Sequence, residues 1–463
     1  MKRKSFLKSV FGAGTLLSFP YCNNLEQFDE INHQINGITE KCKGNLVGFK
    51  TEPIDKVKVG LIGIGNRGKT LIQMFDWLIK KDKAEIVALC DLEQQNVDYA
   101  LNYLKEKQHY MPKIFSNGKN DWENLVKLKE IDLLLIATPW EWHTIMAILG
   151  MENDKHVASE VPISYTLEDC VKVVQTAERT NKHCIMIENC CYNSEELWIM
   201  NMIEQGVFGE LTHAECAYNH DLRALLLHEN YYKDQWRIKH HTQRNGNLYT
   251  THGIGPVSFY MKIGRGDTYK YLTSMSSKEQ NLSAAIKKTK SSLPSIKCGD
   301  VNTSLIKTVN GRSILLQFDV HTGRPYSRIN QLVGTKAVHE GYPSRLYIDG
   351  DKLEFWGHKW LSKEDYLTYT KKYEHPMITK LKNISKSFKQ GHGGMDFIMI
   401  YRLIRCLNKG IPLDINVYDS VMWSVITPLS ELSVSLDSQP VPFPDFTGGS
   451  WKEKRANEIM REI

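Results

Sequence analysis

The sequence predicts an α/β protein: a doubly wound parallel sheet in the first half, then a second α+β domain with a mainly antiparallel open sheet. Three observations carry the prediction. β-branched runs alternate with helix-periodic stretches from residue 57 to residue 187. A glycine-rich turn, Gly63-Ile64-Gly65-Asn66-Arg67-Gly68, joins the first run to the first stretch. After about residue 195 the segments lengthen, become more aromatic and crowd together, as antiparallel strands do.

The elements follow in order. Val57–Ile64 reads VKVGLIGI, apolar enough for a strand covered on both faces. Lys69–Lys80 has helical spacing, Glu85–Cys90 is a second strand, and Gln94–Lys107 is a helix leading to the short strand Lys113–Phe115. Ile131–Thr138 (IDLLLIAT) is the next strand, followed by a helix near His143–Met151. His156–Ser159 and His183–Ile187 are two more strands, with the helix Leu167–Thr180 between them. Beyond residue 195, Leu211–Tyr218, Ser313–Val320, Asn330–Val333, Arg345–Ile348 and Lys352–Trp356 read as strands, and Met395–Lys409 and Val417–Leu432 as helices. Residues 275–300 are Ser- and Lys-rich and suggest a surface loop. The domains expected are 56–194 and 195–463, with the C-terminal segment packing back on the first.

Composition narrows the class. Hydrophobic residues make up 41% and charged residues 24%, ordinary for a soluble globular chain. The net charge of +6 is spread among acids, which argues against a nucleic-acid partner. The ten cysteines show no Cys-x-x-Cys spacing, so they read as buried small hydrophobes rather than a disulfide or zinc framework. The adjacent His240 and His241 find no third ligand at useful spacing, and no metal is expected.

The N-terminus reads MKRKSFLK and then an uncharged apolar run to Cys22, the order of an export signal over residues 1–22. Arg3-Lys4 stands where a twin-arginine signal has Arg-Arg. Cys22 is a candidate for lipidation, although Phe-Pro-Tyr before it makes a poor lipobox. The expected location is therefore the periplasm, or a membrane as an anchored lipoprotein. The run is too short for a stable transmembrane helix. Residues 23–55 are polar and read as a linker or arm.

Gly63, Gly65 and Gly68 fit G-x-G-x-x-G after a strand and at the opening of a helix, the context of a Rossmann dinucleotide site. Asn66 and Arg67 lie in the same turn. Asp91 ends the second strand, where a carboxylate accepts hydrogen bonds from ribose hydroxyls and repels a 2′-phosphate, favouring NAD over NADP. Further cofactor contacts are expected at the ends of later strands: Trp140, Glu141, Trp142 and His143, then Glu160 and Val161, then Asn189.

The segments GIGNRG (63–68), ATPWEWH (137–143), SEVP (159–162), ENCCY (188–192), NGNLYTTHGIGPV (245–257) and GHGGMDF (391–397) resemble the Gfo/Idh/MocA oxidoreductases. The resemblance is closer to glycoside hydrolase family 109, the NAD-dependent α-N-acetylgalactosaminidases. Sugar dehydrogenases of the broad family carry Glu-Lys-Pro, whose Lys joins in proton transfer. Here the tripeptide is Glu160-Val161-Pro162, and Val moves no proton, which weighs against a simple dehydrogenase. The resemblance implies a glycan substrate, oxidised at C3, deprotonated at C2, cleaved at C1 by elimination, hydrated and reduced again. It implies His252 as the base, with Tyr326 as a second catalytic group. Tyr218, Arg237, Tyr249, Thr250 and Thr251 complete the sugar site. His392 and Asp396 are left outside the catalytic set, and a homo-oligomer is left open.

Overall fold

The computed structural model describes residues 24–289, 293–350 and 359–460. The expected signal, Cys22 and the expected strand Lys352–Trp356 lie outside the described residues.

The first sheet contains β1 (Val57–Ile62), β2 (Ala84–Cys90), β3 (Lys113–Phe115), β4 (Leu133–Ile136), β5 (His156–Ser159) and β6 (Cys184–Met186). Its order is β3-β2-β1-β4-β5-β6 and every pairing is parallel. Helices cover both faces, so the strands are apolar throughout; all four residues of β4 are buried. Strand order reverses between β1 and β4, which opens the crevice where such sheets bind ligands.

The second sheet contains β7 (Leu211–Asn219), β8 (Tyr269–Ser276), β9 (Asn302–Thr308), β10 (Ser313–Asp319), β11 (Gln331–Gly334), β12 (Ala337–Glu340), β13 (Arg345–Ile348) and β14 (Val441–Pro442). Its order is β13-β12-β11-β7-β10-β9-β8-β14. The β7–β10 pair is parallel and the others are antiparallel. Burial alternates along β9, as it must where one face meets the core and the other meets water.

Several expectations need correction. The linker 23–55 begins with a helix, Asn24–Thr39, which buries Ile31 and Ile35 on one face, four residues apart. The turn after it is fixed by the Glu178 carboxylate, which accepts the backbone N–H groups of Lys43 and Gly44. The stretch 275–300 holds a helix, Asn281–Thr289, anchored by the buried Leu282. Asp300 accepts the N–H groups of Gln280 and Asn281 at its start. The helix expected over Lys69–Lys80 is two, Asn66–Gln73 and Asp76–Lys80. The one expected over Val417–Leu432 breaks into Val417–Ser424 and Ile426–Ser435, because Pro428 has no N–H for the carbonyl of Ser424.

The helix Met395–Lys409 packs on β1, and Val417–Ser424 packs on β6 and the helix Leu167–Thr180. Arg265, fully buried, holds Asp419 and Glu458 and ties the chain's end to the second sheet's domain. Among the described residues no helix is long and apolar enough to cross a membrane.

Candidate active site

The glycine turn leaves β1 and enters the helix Asn66–Gln73. Gly63 has φ +90°, and a Cβ there would lie 2.6 Å from the Ala137 carbonyl. A Cβ on Gly68 would lie 2.1 Å from the Gly63 carbonyl, so that glycine lets helix and strand meet. Gly65 differs: a Cβ there meets no protein atom within 4 Å. No side chain caps this helix. An open glycine before an uncapped helix N-terminus fits a pyrophosphate. Gly65→Ala should therefore remove bound NAD while leaving the melting temperature equal to that of the NAD-free parent. Intact NAD content in that variant would show that the dinucleotide lies elsewhere.

Asp91 holds the turn in shape. Its Oδ2 accepts the Ile64 N–H at 2.6 Å, and its Oδ1 accepts the Glu93 N–H and the Asn96 side-chain amide at 2.8 and 3.1 Å. A carboxylate has lone pairs left for ribose hydroxyls after these bonds. Across the cleft, Asn66 donates to the Tyr231 carbonyl and Lys233 pairs with Glu93, bringing the segment 231–233 over the turn.

An aromatic wall stands beside this cleft. Trp140 opens the helix Trp140–Glu152, is buried, and stacks on Tyr249 with ring centroids 5.8 Å apart. Tyr218, on β7, lies 4.5 Å from Tyr249 and 5.4 Å from His252 by centroid. The Arg237 guanidinium sits 4.8 Å over Tyr249, 5.1 Å over Trp140 and 5.2 Å over Tyr232. It donates to the Tyr232 hydroxyl at 2.8 Å, while its Nε has no hydrogen-bond partner. A cation held mainly by ring faces keeps donors for the oxygens of a ligand.

His252 lies in the first turn of the helix Thr251–Tyr260. Its Nδ1 is 2.7 and 2.9 Å from the two oxygens of Glu188. Glu188 is fully buried; burial pushes its carboxyl up, but the charge and hydrogen bond of His252 outweigh this and hold it below its usual value. The contact fixes the imidazole with its Nδ1 proton on Glu188 and its Nε2 lone pair outward. Nε2 lies 3.4 Å from the Tyr249 hydroxyl. Gly255 makes the pairing fit, since a Cβ there would press on the Glu188 side chain at 3.1 Å. Tyr326 completes the rim, 6.3 Å from Tyr218 by centroid, its hydroxyl accepting from Arg328 at 2.8 Å.

Comparison with known proteins identifies this architecture. Residues 57–188 match the oxidoreductase family with an NAD-binding Rossmann fold, and residues 192–453 match the glycosyl hydrolase 109 C-terminal domain. A glycosyl hydrolase family 109 protein of Solibacter usitatus is 42% identical over 425 residues, 89% of this chain and 93% of its own length. The chain belongs to glycosyl hydrolase family 109. A relative from Shewanella oneidensis named alpha-N-acetylgalactosaminidase is also 42% identical, over 90% of each chain. Solved structures share the fold at low identity. An NAD-binding oxidoreductase from Klebsiella pneumoniae has a TM-score of 0.63 at 17% identity, covering 84% of this chain and 99% of its own. Levoglucosan dehydrogenase in complex with NADH has 0.61 at 16%, covering 84% and 100%.

In this family 109 chain the residues expected from sequence divide into two groups. Tyr218, Arg237, Tyr249, His252 and Tyr326 converge on one face beside the glycine turn. Others turn inward. Both ring nitrogens of His143 lie on backbone carbonyls, those of Pro162 and Thr138, at 2.7 and 2.8 Å. Thr250 donates to the Trp423 carbonyl, and Thr251 is equally buried. Trp142 packs on Trp122, Glu141 is exposed and Val161 is buried.

Arg67, expected at the cofactor, is taken instead by Glu160 and by both oxygens of Asp396. Asp396 also accepts from Asn189 at 2.7 Å and lies 2.9 Å from His392 Nδ1. His392 and Asp396, set aside on sequence, thus belong to the cleft. Glu188 was missed as well; its signal was its place in ENCCY, one residue before Asn189 and just past β6.

Proposed function

We propose that this chain is an α-N-acetylgalactosaminidase acting through an oxidation–elimination–addition–reduction cycle. One observation carries the reading: an imidazole oriented by a buried carboxylate faces an aromatic–arginine pocket next to an open dinucleotide turn. The name of the Shewanella oneidensis relative supports the choice of sugar. Gly65, the uncapped helix and Asp91 fit NAD, which when bound supplies reversible uptake of one hydride at a sugar carbon.

The protein's own residues do the rest. Arg237 binds sugar oxygens with the donors its aromatic cage leaves free. His252 Nε2 takes the C2 proton, which a neighbouring ketone acidifies, while Glu188 stabilises the imidazolium that forms. Tyr326 stands at the rim as a proton donor to the departing oxygen, its phenol carrying its proton at neutral pH. Val161 offers no competing proton route. The second reading, a net sugar dehydrogenase, lacks the lysine it would use.

Turnover of an aryl α-N-acetylgalactosaminide in D₂O decides between them. Released sugar with deuterium at C2 is the expected product. Cleavage without deuterium overturns the elimination route, and NADH accumulating with free sugar supports the dehydrogenase. The basic and then apolar N-terminus supports export; a protein found wholly in the cytosol on cell fractionation would overturn that part.

A further inference from the structure

Behind the Arg237 wall, the fold supplies the third ligand that sequence spacing did not. His241 lies in the helix Trp236–Gln243, Cys298 follows the helix Asn281–Thr289, and His321 lies two residues past β10. One donor atom from each lies within 4.8 Å of the others, and the three residues are no more than 1% exposed. The backbone builds the arrangement: the N–H groups of Lys297 and Cys298 both donate to the His241 carbonyl at 3.0 Å, and the Cys298 thiol otherwise meets the Gly246 carbonyl at 3.9 Å.

We propose that His241, Cys298 and His321 form a zinc site with three protein ligands and a water in the fourth tetrahedral position, separate from the dinucleotide cleft. Two observations point to an ion. The donor set is of the zinc type, two imidazole nitrogens and a sulfur. The second is the environment of His321. Its Nε2 faces His241 Nδ1 at 2.8 Å, while its Nδ1 has no hydrogen-bond partner and lies 3.8 Å from the buried Asp300 carboxylate. Zinc on Nε2 would leave the proton on Nδ1, and a shift of about 0.8 Å would bring it within hydrogen-bond reach of Asp300, the kind of partner a metal-bound histidine has.

Charge balances as well. Zinc displaces the Cys298 proton, and the remaining single positive charge is met by Asp300. At zinc–nitrogen bonds of about 2.0–2.1 Å, tetrahedral ligands stand about 3.3 Å apart, so the two rings need separate by only about half an ångström. The bound ion would staple the helix carrying Arg237 to the stretch that runs from His321 to Tyr326.

The test uses metal content and spectra, not turnover, so it stands apart from the glycosidase reading. Full-length protein from zinc-supplemented cells, exhaustively dialysed, should hold about one zinc per chain. Cys298→Ala and His321→Gln should each lose it. A tight chelator should lower the melting temperature of the parent and leave that of Cys298→Ala unmoved. Cobalt added to the chelator-stripped parent should give a thiolate charge-transfer band, a readout that needs no variant to fold. Zinc below about a tenth per chain after growth and reconstitution, no cobalt–thiolate band, or equal zinc in parent and variants overturns the site.

Discussion

His252→Ala should lower kcat by about 10²–10⁴-fold while NAD stays bound, because the variant loses a positioned proton acceptor and no part of the dinucleotide turn. Steady-state kinetics and the NAD content of the purified variant check this together. Full activity would remove His252 from its role. The geometry also sets how a second change combines with the first. Glu188 reaches the chemistry only through His252 Nδ1, at 2.7 and 2.9 Å, so Glu188→Gln should slow the enzyme mainly by losing the oriented tautomer. Once His252 is gone, Glu188→Gln should add little further loss, since residues acting as one unit are not additive. Additive losses would show that Glu188 works independently.

Asp396→Ala should cost about 3 kcal/mol of stability by chemical denaturation. It strips the bidentate partner from Arg67 and the acceptor from Asn189. The figure sits at the low end for a buried ion pair because Arg67 is partly exposed and keeps Glu160. The pH dependence follows from Asp396 itself. Burial pushes its carboxyl up, but Arg67 and His392 outweigh burial and hold it well below its ordinary 3.8. A depressed carboxyl contributes its stability in full above the unfolded value and loses it as pH falls through the folded one. The clamp should therefore persist to strong acid, and Asp396→Asn should flatten the stability curve below about pH 4. A variant as stable as the parent across that range would show that the clamp contributes nothing net.

The parallel half of the fold was legible because its strands are covered on both faces, and such strands must be apolar along their whole length. IDLLLIAT can be little else. In the second sheet β7, β10, β11 and β13 were legible from crowded, aromatic, strand-like segments, whereas β8, β9, β12 and β14 were not read from the sequence. The helix Asn24–Thr39 was not: only a narrow stripe of it is buried, and its composition is otherwise polar. The split helices failed differently. Periodicity continues through the break at Met74–Phe75, and both residues are buried, so nothing in the apolar pattern marks the end.

By itself, the sequence determined the dinucleotide turn, which depends on local backbone freedom, while the Tyr249–His252 block was legible through its resemblance to family 109. Only the tertiary structure decided which charges meet. It joined Arg67 to Asp396, 329 residues apart, His252 to Glu188 across 64, and His241 to His321 across 80. A side chain chooses its partner by distance in the packed core. Separation along the chain carries no information about that distance once strands and helices have folded between the two residues.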